Sequence, residues 1–184
     1  MMTSMVLVTH LGLRPGYQLL DLMVQSWRRV YATRAYGRVQ ANHQSVTEHL
    51  FLIYAAAFLT RHQVTVASPL EIAALQQDLL PLMETVVLPD GGTAMHSTND
   101  HRALCDVVAF AKLLDDAYGV GMWAQQGLQQ KVAGMAKFLA VVIDPASGEA
   151  PLLGVNDGSL HAITYAPYTK FEPSLLLLCA AFGL

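Results

Sequence analysis

Apolar positions recur along this chain at three- and four-residue spacing, and polar breaks rich in glycine and proline divide them into six segments that each read as a helix. Gly16 to about Ala35 makes the first, with Leu19, Leu20, Leu22, Met23, Trp27 and Val30 towards the core and Tyr36-Gly37 as its end. A short polar link, Val39 to Gln44, follows. Ser45-Val46-Thr47-Glu48 then matches a capping box, in which the serine caps the Glu48 amide and Glu48 reaches back to the Ser45 amide. The second helix runs on to Thr60, apolar nearly all round, as expected of a helix buried on most sides. Ser68-Pro69-Leu70-Glu71 repeats the start signal with proline at the first helical position. This third helix extends to about Val87, with a kink expected at Pro81, which has no N–H for the preceding turn.

The fourth helix opens with Thr98 or Asn99 as N-cap, places Ala103, Val107, Val108, Ala111 and Leu114 on one stripe, and ends at Tyr118-Gly119. A fifth runs from about Trp123 to Ile143, with Leu128, Val132, Met135, Phe138, Leu139 and Val142 on one side. Asp144 to Lys170 reads as a long loop, and a last helix starts near Pro173. No strand alternation persists, so the expected fold is all-α: antiparallel α-hairpins in a single domain over 1–184. In an up-down chain every second helix starts on the same rim. That rule gathers Asn42-His43-Gln44, the His96 to His101 stretch, and Asn156-Asp157 with Tyr165 and Tyr168.

Composition narrows the class of partner. Of 184 residues, 53% are hydrophobic and 14% charged, against roughly 25% charged in ordinary globular chains. Such an apolar excess suits tightly packed helices or surfaces that meet a partner, such as a second copy of the chain. The net charge of −3 and the lack of a Lys/Arg run argue against a nucleic-acid footprint. Arg28-Arg29 with Arg34 and Arg38 reads as a solvated helix face. Cys105 and Cys179 sit inside apolar helical runs and read as free thiols without zinc spacing, and Trp27 and Trp123 read as core residues. No apolar run reaches the ~20 residues of a membrane span. Met1 to Tyr17 lacks the pattern of a signal peptide, which leaves the compartment undetermined.

Candidate chemistry concentrates where Pro89-Asp90-Gly91-Gly92, a turn sequence, runs into Thr93-Ala94-Met95-His96-Ser97-Thr98-Asn99-Asp100-His101-Arg102. Two histidines, an amide and a carboxylate thus stand at a helix N-terminus, where unpaired N–H groups and the dipole favour anions. The histidine spacings fit no metal site, and neither a metal nor a cofactor is expected.

On these residues the chain resembles the heparinase II/III-like polysaccharide lyases. The matching motifs are Pro89-Asp90-Gly91, Ser97-Thr98-Asn99-Asp100-His101-Arg102, Gly148-Glu149-Ala150-Pro151, Gly154-Val155-Asn156-Asp157-Gly158 and Tyr168-Thr169-Lys170-Phe171-Glu172-Pro173, and Asn42-His43-Gln44 aligns with the family's Asn-Asn-His. They cover 36–184. The resemblance implies part of an incomplete (α/α) toroid, an acidic, uronate-containing polysaccharide or oligosaccharide as partner, and β-elimination as the chemistry. It also implies catalytic positions at His43, Gln44, Asp100 and His101, and substrate contacts from Asn42, Asn99, Asn156 and Asp157. Elimination needs a group to neutralise the uronate carboxylate, a base for the carbon acid and an acid for the leaving oxygen.

The site departs from the family pattern. Gln44 stands where the family has histidine, with His43 one place earlier, and Asp100 stands where the family has tyrosine. Aspartate is shorter, and a carboxylate is a much weaker base than a phenolate. The alternative reading is therefore a catalytically degenerate module that binds carbohydrate or serves as a helical scaffold. Each candidate also has a structural reading: His101 packs and bonds a carbonyl, His96 is loop surface, Asp100 is a first-turn acid, and Asn99, Asn156 and Asp157 are turn residues.

Overall fold

Residues 1–155 and 167–184 are described by the structure, a computed structural model. Among them the chain is helical, in the order α1 (Met2–His10), α2 (Tyr17–Gln40), α3 (His43–Arg61), α4 (Pro69–Val86), α5 (Thr98–Tyr118), a 3-10 turn (Met122–Ala124), α6 (Gln126–Val142) and α7 (Glu172–Phe182). The only β pairing among the described residues is two isolated bridges, Val87 with Thr93 and Glu149 with Lys170. Each closes a loop rather than starting a sheet.

α3 and α5 form the centre because their sequences are apolar beyond one face. Val46, Leu50 to Ala56, Phe58 and Leu59 are all buried on α3, and Leu104, Cys105, Val108 to Ala111 and Leu114 on α5. Full burial of a side chain such as Leu50 or Phe58 contributes about 1.5–3 kcal/mol. α3, α5 and α7 pack in a row. α2 lies on α3, α4 lies between α3 and α6, α6 rests on α5 and α7, and α1 crosses both α3 and α5. Buried Trp27 ties α2 to the centre by donating its indole N–H to the Leu52 carbonyl at 2.8 Å. Tyr54 on α3 donates to Asp115 Oδ1 on α5 at 3.0 Å, and the same oxygen accepts the Met122 amide. Burial first, then the neighbouring Asp115 charge, push the Tyr54 hydroxyl well above the ordinary tyrosine range.

Several boundaries differ from the sequence expectation. α1 has no side-chain cap and little sidedness in its sequence; Met2, Met5 and Val6 hold it by packing on the core. α2 extends past Tyr36-Gly37 to Gln40, because Gly37 is buried against Glu48 rather than ending the helix. Leu22, expected in the core, is exposed. The capping box at the start of α3 is made by Asn42 and Ser45, not by Ser45 and Glu48. Asn42 Oδ1 accepts the Ser45 amide at 3.0 Å, and Ser45 Oγ accepts the Asn42 amide at 3.1 Å. His43 and Gln44 are thereby the first two residues of a helix rather than a link.

The box of Ser68 and Glu71 forms as expected, and α4 is continuous across Pro81. α5 is capped by Ser97, one residue before the expected Thr98 or Asn99, and α6 starts at Gln126 because Trp123 belongs to the 3-10 turn. Ser97 has a second task, since its Oγ accepts the Asp100 amide at 3.1 Å and donates to the Val155 carbonyl at 2.6 Å. Ser97→Ala is expected to cost about 2 kcal/mol in urea unfolding, where removal of the single cap in Asn42→Ala costs about 1 kcal/mol. Equal losses would show that the Val155 bond contributes nothing.

Candidate functional site

The rim is built by helix starts. Asn42 caps α3, so His43 and Gln44 occupy its first turn. Ser97 caps α5, so Asn99 and Asp100 occupy the first turn there. The two turns meet: His43 Nδ1 lies 3.6 Å from Asp100 Oδ2, with the side chains 17% and 7% exposed. That separation is an ion-pair distance but just beyond a hydrogen bond, and buried Nδ1 has no hydrogen-bond partner. Asp100 is also well placed for the α5 dipole, which favours a carboxylate in the first turn. Gln44 is exposed beside them. A ligand at this rim therefore meets two helix N-termini, one imidazole edge and a free amide.

The third loop reaches the same rim. Arg102, only 1% exposed, donates to Asn99 Oδ1 and to the Tyr168 carbonyl, both at 2.6 Å, and its guanidinium lies 5.0 Å from the ring centre of Phe171, which precedes α7. Thr98 Oγ1 donates to the Pro151 carbonyl at 2.8 Å and accepts the Leu153 amide at 3.1 Å. Gly154 closes the approach. A Cβ there would stand 2.4 Å from the His96 carbonyl oxygen, and its φ is +73°. Ser97, Thr98 and Arg102 thus hold the loop after α6 against α5. The sequence signal for that role was a Ser-Thr pair opening a helix, visible but readable only as a cap.

The candidate residues separate by depth. His43, Gln44 and Asp100 share the rim, with Asn42 behind them as the α3 cap. Asn99 is buried and bonded to Arg102, so its amide oxygen serves the scaffold. His101 points the other way. It is fully buried, its ring lies 4.8 Å from Phe138, and its Nε2 lies 3.2 Å from the Met135 carbonyl. A carbonyl only accepts, so Nε2 carries the proton. Burial lowers its pKa from 6.5 to about 4, against smaller opposing effects of the Met135 bond and the Asp90 charge. Asn156, Asp157 and Tyr165 lie outside the described residues.

A small cavity of about 170 Å³ adjoins the start of α5, between Asp90, Thr93, His96, Ser97 and the Phe138 ring. That is roughly the volume of five or six waters at ~30 Å³ each. His96 is exposed and holds φ +51°, and buried Thr93 Oγ1 has no hydrogen-bond partner. Among the described residues no group of three or more His, Cys, Asp and Glu side chains is placed to hold a metal ion, and no helix is long and apolar enough to cross a membrane. Comparison of the chain with protein-family models, with curated proteins and with solved structures finds no match.

Proposed function

We propose that this chain is a polysaccharide-lyase-like domain, a segment of a heparinase II/III-like (α/α) toroid, whose rim binds acidic, uronate-containing polysaccharide. The observation that carries the reading is the 3.6 Å approach of His43 to Asp100, which joins two motifs far apart in sequence at paired helix N-termini. The packing order supports it as well. α3, α5 and α7 follow one another as inner helices of a toroid do, with α2, α4 and α6 against them as outer ones.

β-Elimination, the chemistry of the family that the chain resembles, removes the proton beside a uronate carboxylate and breaks the bond to the 4-linked sugar oxygen. His43 and the Gln44 amide, with two positive helix ends, suit the first requirement, neutralisation of that carboxylate. The base is less well provided: Asp100 replaces a tyrosine, and His101 is sealed beneath the rim. Those two observations favour a second reading, binding without turnover.

Incubation with polygalacturonate, alginate and heparan sulfate separates the readings, with calorimetry for binding and ultraviolet absorbance for the unsaturated product. Binding is expected to weaken about tenfold, ~1.4 kcal/mol, in His43→Ala. Product formation that appears only in Asp100→Tyr with Gln44→His would assign the native chain to binding alone. No binding and no product with any polymer removes both.

A further inference from the structure

The cap that Asn42 and Ser45 supply to α3 leaves Glu48 without its expected backbone partner. Its carboxylate leans instead towards α2, so that a Cβ on Gly37 would come 2.7 Å from Oε2. Glu48 then lines an open pocket of about 410 Å³ bordered by α1, α2, α3 and α5, within the ~300–1,000 Å³ usual for small-molecule sites. Phe51, Val107 and Phe110 line the same cavity, and Arg29 of α2 lines it too. Thr47 and Phe51 follow His43 at four-residue steps, which puts the cavity one to two turns along α3 from the rim. α1 makes a wall through Met2, whose flexible thioether adapts to irregular contents.

Two opposite charges therefore border one apolar hollow without pairing with each other. Among the described residues neither Arg29 nor Glu48 takes part in an ion pair or a side-chain hydrogen bond. A half-buried carboxylate and an exposed, unpaired guanidinium beside an aromatic floor suit a molecule that carries an ammonium and a carboxylate on an apolar body. We propose that this cavity is a binding site for a zwitterion with a large apolar side chain, of the α-amino-acid type. Glu48 accepts from its ammonium, Arg29 donates to its carboxylate, and Phe51 and Phe110 cover its apolar part.

Isothermal titration of the full chain with L-phenylalanine, 3-phenylpropionate, 2-phenylethylamine and uncharged N-acetyl-L-phenylalaninamide tests this. L-Phenylalanine is expected to bind at least about tenfold more tightly than each of the other three. Arg29→Gln should abolish its advantage over 2-phenylethylamine, and Glu48→Gln its advantage over 3-phenylpropionate. Because neither side chain has a partner to lose, both variants should keep the native melting temperature. No saturable binding of L-phenylalanine, or binding equal to that of the uncharged amide and unchanged in both variants, overturns the proposal.

Discussion

Gly91→Ala is expected to destabilise the protein by at least about 3 kcal/mol, the largest effect of a methyl addition at any described glycine. Gly91 belongs to the Pro89-Asp90-Gly91-Gly92 turn that delivers the chain from α4 to the cap of α5. At φ +90° it already has a backbone that L side chains rarely adopt. A Cβ there would also lie 2.0 Å from the Gly134 carbonyl oxygen of α6, an atom held by its own helix and unable to step aside. Turn and helix touch through two glycines, and neither side can give.

Gly119→Ala is the control. That glycine ends α5 at φ +65° with nothing within 4 Å of a new Cβ, so only backbone strain remains, about 1–2 kcal/mol. Urea unfolding of the two variants compares them directly. Equal losses would mean that the close contact of the turn with α6 is not formed.

Stability should fall by about 3 kcal/mol as pH is lowered from about 6.5 to about 4, chiefly through His101. The folded state holds this ring neutral down to about 4, whereas the unfolded chain protonates it near 6.5. Within that window the unfolded state binds the extra proton, so unfolding becomes easier as acid is added. The loss levels off once the folded ring also titrates. His49 adds to the slope with the same sign: burial lowers its pKa too, and its Nε2 lies 2.6 Å from the Leu75 carbonyl. Urea unfolding at a series of pH values measures the drop, and His101→Gln should remove the larger part of it. A native protein as stable at pH 4 as at pH 7, or an unchanged slope in His101→Gln, would show that the ring is not sealed from water.

The same burial explains why His101 could not be placed from sequence. Asp100 and His101 are adjacent in the first turn of α5, yet one faces His43 across the rim and the other faces the α6 backbone. Adjacent helical positions point about 100° apart, and only the positions of α3 and α6 decide which direction is inward. Glu48 teaches a related lesson. Ser45-Val46-Thr47-Glu48 and Ser68-Pro69-Leu70-Glu71 look alike as capping boxes, but only the second forms, because Asn42 lies three residues before Ser45 and starts the helix earlier. Competition between two valid start signals is settled by which helix length packs.

Periodicity and local chemistry were enough for an all-helical chain, for a buried α3, for the Ser68 cap, for the end of α5 at Gly119 and for core tryptophans, since these depend on residues near each other in sequence. α1 needed the assembled core, because a nine-residue helix without a side-chain cap has little stability of its own until Met2 and Met5 find apolar partners. The meeting of His43 with Asp100, the anchoring of the 151–155 loop by Ser97 and Thr98, and the hollow between Arg29 and Glu48 likewise arise from packing. Each joins residues from different elements, and the free energy that aligns those elements is spread over the whole apolar core rather than held in any one motif.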